Sequence, residues 1–460
     1  MVFSSLSFIF CILPLFLALD ILARSINSLP LRNTVLLFVS LLFYTWGEVG
    51  HVFILFGLGV VNYIAGKCIH LAKRPGIFLT IAVVGNLFIL FLYKYAYWLV
   101  SLVMPDLVMQ KISMPLGISF FTFHAVSYLF DVYRRHIDPA RSAFEFLTYF
   151  CMFPHLVAGP IVRYAQIKKE LCSRGPDKEL FAFGVYRFLL GLNKKIIIAN
   201  SVAILADSAF KMSSGGELGS VDAWLGIMAY TIQIYFDFSA YSDMAIGLAA
   251  MAGFRFTENF NRPYSSLTIR EFWRRWHISL SSWFRDYLFI PLGGSKEGAF
   301  TAYRNLLIVF VLCGLWHGAE LSFVLWGLWH GAFLILERLR PGKYLSALPH
   351  SMQRMYTMLV VLVGWVFFRA DTIGDAWNYL QSMLFLNCKP VLLVYHSKAC
   401  IALIFGIFMC WLPVRIISLP TSHTANVFSV IAFCSQAALA VFSIMVLLTT
   451  DRNPFIYFNF

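Results

Sequence analysis

The sequence predicts an all-α polytopic membrane protein, and three observations carry that prediction. Of 460 residues, 60% are hydrophobic and only 13% charged, where a soluble domain carries about 25% charged residues. Mean hydropathy is +0.74, which excludes a disordered chain as well as a soluble one. Apolar runs of spanning length recur along the whole chain, separated by short polar stretches. At roughly 20 residues per span plus short loops, the length allows about ten to twelve crossings. No soluble stretch could bury a core of its own, so one membrane-embedded domain over 1–460 is expected.

The candidate segments, in order, are 2–23, 33–47, 52–70, 77–103, 113–131, 142–162, 180–209, 222–253, 304–319, 322–337, 355–369, 399–419 and 426–449, with 376–394 weaker. The first lacks a basic leading region and a small-residue cleavage site, so it is expected to be retained as a span. Segment 113–131 carries Pro115, Gly117 and His124. Segment 142–162 has basic clusters at both ends and contains Pro154, His155, Gly159 and Pro160. A re-entrant segment explains that better than a crossing, and it requires an interior where irregular backbone is buried in protein or lines a cavity.

The chain has 36 Lys and Arg against 23 Asp and Glu, a net charge of +13. In a soluble chain this would suggest nucleic acid. Here the basic residues cluster between apolar runs, and membrane topology is the plainer cause. The clusters, from Arg24 and Arg32 through 255–296 to Arg338, Arg340 and Lys343, are assigned to the cytoplasm. The nine cysteines show no CxxC and no metal-like spacing, so neither a disulfide framework nor a metal site is expected.

The most polar stretch is 254–296. Read as a helix from about Thr268, it places Arg270, Arg274, His277, Ser281 and Arg285 on one polar stripe. Phe272, Trp276, Leu280, Trp283 and Tyr287 form the facing apolar stripe. That describes an interfacial amphipathic helix. Its basic face either lies on anionic headgroups or lines a cavity mouth and receives an anionic ligand. Lipid binding gives no reason for a histidine among the arginines.

The pentapeptide LWHGA occurs at 315–319 and again at 328–332. The flanking apolar pieces, 305–316 and 321–333, span only about 18–20 Å as helices, less than the roughly 30 Å hydrocarbon core. An incomplete hairpin or two broken helices is expected, with His317 beside the turn and deep in the membrane. An ionisable residue at that depth is a functional candidate, and Gly318 beside it would admit a close approach by substrate or backbone. His330 lies about 220° further round a continuous helix and is assigned to packing. Asp237 and Asp243 lie in an otherwise apolar run, where they would pair with arginines of the next segment. There is no P-loop, no G-x-S-x-G and no H-E-x-x-H.

NFNRPY with EFWRRWHISLSSWFRDYLFIPLGG, GLWHGA with FVLWGLWHG, YFDFSAYSDMAIG, PLGISFFTFHAVSYLFDVYR and the closing NPFIYFNF together resemble bacterial membrane-bound O-acyltransferases. The resemblance covers nearly the whole chain. It is strongest to the polysaccharide O-acetyltransferase branch, which includes the alginate O-acetyltransferase membrane subunit. It implies a ring of about ten to twelve helices, with re-entrant and interfacial pieces, around a central tunnel. It places the family's acyltransferase histidine on His317 and its second characteristic position on His277. It implies an acyl donor on the cytoplasmic side, acetyl-CoA above others, and delivery to hydroxyls of an exported polysaccharide. Periplasmic glycan-acetylating partner proteins and a bacterial inner-membrane location go with it.

Arg270, Arg274 and Arg285 would suit the phosphates of a coenzyme A thioester. His317 could act as general base or as transient acyl carrier. A transporter or flippase for a lipid-linked glycan would use the same tunnel without covalent chemistry. A scaffold that only recruits periplasmic enzymes would need neither histidine.

Overall fold

The computed structural model describes residues 2–104, 112–384, 389, 391–393, 396–411, 427–450 and 455–456. Part of the 399–419 candidate segment and most of the closing NPFIYFNF lie outside the described residues. All regular structure among the described residues is helical. Eight helices there are long and apolar enough to cross a membrane, and Leu321–Leu336 and Ser397–Trp411 are shorter apolar helices. The chain divides into two compact units: 1–192 with 241–257 and 418–449, and 193–240 with 258–417 and 450–460.

The first unit contains four helices of spanning length near its start, Phe8–Ser25, Leu29–Gly47, Val52–Leu71 and Pro75–Lys94. Charges and amides buried in it are matched locally. Asp20 accepts from Arg24 and, at 3.1 Å, from Arg32, whose guanidinium also donates to the Ala252 carbonyl. Asn62 and Asn86 exchange two hydrogen bonds between neighbouring helices. Segment 142–162 is broken, as its prolines and glycines suggested, into Ala143–Phe150 and the short turn Phe153–Leu156, with 145–150 and 153–156 buried. The 113–131 histidine, His124, is fully buried with its ring 4.3 Å from that of His155.

Asp243 pairs with Arg187 at 2.7 Å within this unit. In the second unit Asp237 pairs with Lys195 at 2.6 Å. Both acids are therefore neutralised as expected, but by the preceding helical run, 178–214, rather than by arginines of the next segment. The partners, Arg187 and Lys195, sit on the helical run packed beside these acids, and adjacency in the bundle rather than order in the sequence sets the pairing.

The second unit holds every candidate functional residue. Its organising feature is an antiparallel hairpin of Ala299–His317 and Leu321–Leu336. Gly314 faces the Phe323 carbonyl and Gly327 faces the Phe310 carbonyl so closely that a Cβ at either would strike the opposing backbone. Small residues permit this approach, and close backbone packing holds helices together where lipid offers no hydrophobic driving force. The first arm is 19 residues long, about 28 Å. It is longer than its apolar core suggested because residues 299–304, ahead of that core, continue the helix.

Candidate active site

The expected single amphipathic helix is two helices, Ile269–Arg275 and Ile278–Phe284, broken at Trp276 and His277. Thr268 caps the first by accepting from the Glu271 N–H at 3.0 Å. Glu337, at the end of the hairpin's second arm, accepts from the N–H groups of Ile269 and Arg270. An acid there satisfies orphan donors and favours the helix dipole, and it fixes where Arg270 stands.

The break corrects the placing of His277. The apolar stripe is buried throughout, but His277 does not share the arginine face: it is only 1% exposed. It occupies the left-handed region at φ 42°, a conformation costing a non-glycine residue of order 1–3 kcal/mol. Asn259 holds it there. The Asn259 Oδ1 accepts from His277 Nδ1 at 3.1 Å and from the Ser279 hydroxyl at 2.8 Å, while its carbonyl accepts from the Ile278 N–H.

Because an amide oxygen only accepts, His277 Nδ1 carries the proton and Nε2 bears a bare lone pair. That Nε2 is buried and has no hydrogen-bond partner among the described residues. Burial pushes the imidazole pKa down to about 3, so the ring is neutral near pH 7. Asn259 was quoted in the NFNRPY motif, but nothing in a linear pattern shows that an asparagine eighteen residues upstream sets a histidine's tautomer.

The arginines stay together. Arg270, Arg274 and Arg285 line a cavity of about 370 Å³, joined by Arg338 at the end of the hairpin. Arg285 is held by Asp286 at 2.6 Å. The guanidinium groups of Arg270 and Arg274 make no ion pair or hydrogen bond among the described residues. Burial and the neighbouring Arg270 lower the Arg338 pKa. Among the described residues no carboxylate lines this cavity. Its apolar wall continues along the hairpin to Cys313, one helical turn short of His317.

His317 is the last residue of the first arm and is 3% exposed. Its ring meets the edges of Trp326 at 5.1 Å and Phe368 at 4.9 Å, and lies 4.7 Å from Trp316. Trp316 also approaches the His277 ring at 6.4 Å, so the two expected histidines are brought to one indole. The group that closes on Gly318 is the Phe323 ring of the same hairpin.

A second cavity, of about 420 Å³, opens at this end of the hairpin, and its walls include Phe323 and Phe368. Along the hairpin His317 falls between Cys313, which lines the first cavity, and Glu320 and Phe323, which line the second. His330 lies on the same Trp326 ring, at 5.4 Å, but its own ring is fully buried, 5.1 Å from Trp273, and sits on Gly364, where a Cβ would come within 2.7 Å of its Nε2.

The sequence matches the MBOAT, membrane-bound O-acyltransferase family over residues 36–368. The chain belongs to that family. It is 42% identical over 395 residues to the protein named "Probable alginate O-acetylase AlgI" of Pseudomonas aeruginosa, covering 83% of this chain and 75% of the relative. It is 31% identical to the peptidoglycan O-acetyltransferase of Helicobacter pylori, covering 84% and 80% respectively. A shorter match, 30% identical over 44% of this chain, relates it to the teichoic acid D-alanyltransferase of Bacillus subtilis. This membrane-bound O-acyltransferase is accordingly a multi-pass membrane enzyme that moves acyl groups.

Proposed function

We propose that the chain, acting as a single acyltransferase domain over 1–460, transfers acetyl from acetyl-CoA to hydroxyls of an exported polysaccharide, in the inner membrane and with periplasmic partner proteins. The observation that carries this is the position of His317 along the hairpin, between a cavity lined by four arginines and a second cavity of different polarity. Arg270, Arg274 and Arg285, with Arg338, hold the donor phosphates. Arg285 is paired with Asp286, but Arg270 and Arg274 make no ion pair among the described residues, and a polyanion relieves the repulsion between such neighbouring cations.

The chemistry assigned to the site is direct. An acceptor oxygen forms a bond to the acetyl carbonyl carbon, and the carbon–sulfur bond of the thioester breaks. His317 takes the hydroxyl proton as general base and returns it to the departing thiolate. The His277 Nε2 lone pair accepts a hydrogen bond and orients the reacting group. The relatives' names, which specify alginate and peptidoglycan O-acetylation, support a glycan acceptor.

The test is release of free coenzyme A from acetyl-CoA by the purified protein in lipid nanodiscs, with acetyl transferred to glycan. His317→Ala should fold and insert like wild type while transfer falls about 10²–10⁴-fold, the usual effect of removing a general base. A transporter or flippase would release no coenzyme A, and a scaffold would tolerate the loss of both histidines.

A further inference from the structure

The second cavity differs from the arginine cavity in what it offers a ligand. Asp207, Glu320 and Asp371 line it, with Arg369 as the one lining cation among the described residues. That cation is already engaged, donating to Asp207 at 3.1 Å. Gln233 also lines the cavity, is 6% exposed, and its Oε1 accepts no hydrogen bond among the described residues. Carboxylates and an amide oxygen only accept hydrogen bonds. A buried acceptor left unsatisfied is costly, so the cavity wants a ligand that donates. The rings of Tyr230, Phe323 and Phe368 supply flat apolar walls among these acceptors.

We propose that this cavity binds a neutral pyranose through its hydroxyl groups and rejects acidic sugars. Hydroxyls donate to Gln233 Oε1 and to the carboxylates, while the apolar C–H face of the sugar lies on the aromatic walls. Asp207 is paired with Arg369, so Glu320 and Asp371 at the rim leave a net negative mouth that repels a uronate carboxylate, an effect that weakens with added salt. A volume of about 420 Å³ falls within the ordinary range for small-ligand sites, about 300–1,000 Å³. Calling the sugar the acetyl acceptor rests on the acyltransferase reading above; the binding itself does not.

The experiment uses the full chain in nanodiscs and three probes: cellotriose, a triuronate of equal length, and a neutral serine-containing tripeptide. Binding is followed by saturation-transfer NMR with titration. Cellotriose should bind at least tenfold more tightly than the triuronate, and the peptide should not bind. Gln233→Leu should weaken cellotriose roughly three- to tenfold, the effect of one lost neutral hydrogen bond.

Asp371 and Glu320 are exposed at the rim, so Asp371→Asn and Glu320→Gln should fold and should raise triuronate affinity relative to cellotriose. Equal binding of the two saccharides, preference for the peptide, or unaltered selectivity in the rim variants would overturn the proposal. Coenzyme A release on the same preparations separates the two readings. Sugar binding without release sinks the acyltransferase mechanism alone, and release without sugar binding sinks the cavity assignment alone.

Discussion

His277 and His330 are both buried, but they are held in different ways. His277 is anchored by Asn259 and keeps one nitrogen in reserve. His330 is wedged on Gly364 among aromatic rings. His330→Ala should therefore lose stability, by about 2–5 kcal/mol as for other large-to-small core changes. Its transfer rate per folded molecule should change less than tenfold. A dead but stable His330→Ala protein would move the catalytic assignment to the second LWHGA copy.

The His277 pKa adds a pH signature. The unfolded imidazole titrates near 6.5 and the folded one near 3. Between these values the unfolded chain binds a proton that the fold refuses. Stability is then complete above about pH 6.5 and is lost as pH falls toward 3, by at most about 1.4 kcal/mol per pH unit. His277→Gln should flatten the dependence of melting temperature on pH between 7 and 4. Parallel wild-type and variant curves would mean that His277 does not contribute to the acid sensitivity.

At the scale of elements, the arginine face and the LWHGA hairpin were legible because periodicity and repeated motifs are local signals. The break at His277 was not. No proline or glycine marks it, and it depends on Asn259 clamping the chain from a distant loop. The partners of Asp237 and Asp243 were misplaced for a related reason: ion pairing inside a bundle follows helix adjacency, which sequence order does not reveal. A cavity mouth on the arginine face was one of the two readings the stripe allowed, but the second cavity was invisible, since it draws its walls from several helices.

The arginine helix makes its own prediction. Arg270 and Arg274 both point their charge at the cationic cavity. Changing both to Ala should raise the KM for acetyl-CoA roughly ten- to hundredfold per lost charge-assisted contact, with kcat for bound donor little changed. A double variant with wild-type KM would assign the face to lipid contact instead.

At the scale of the whole molecule, the governing quantity is the distribution of charge relative to the bilayer. The lysines and arginines of 255–304 gather near the start of the hairpin, and Arg338, Arg340 and Lys343 follow its end. The positive-inside rule puts both sets in the cytoplasm. The first arm, Ala299–His317, then rises about 28 Å, close to the roughly 30 Å hydrocarbon thickness. Its far end, the turn at 318–320, should reach the opposite face.

Single-cysteine labelling in a background free of the nine native cysteines tests this with two positions. Ser295 is exposed beside Arg338, and Glu320 is exposed at the turn. An impermeant maleimide added to intact spheroplasts should label Glu320→Cys and leave Ser295→Cys unreacted until the membrane is permeabilised. Labelling of Ser295→Cys from outside would invert the topology and with it the side from which the donor enters. If both stay protected until permeabilisation, the hairpin does not cross, and the second cavity would open within the membrane or on the donor side.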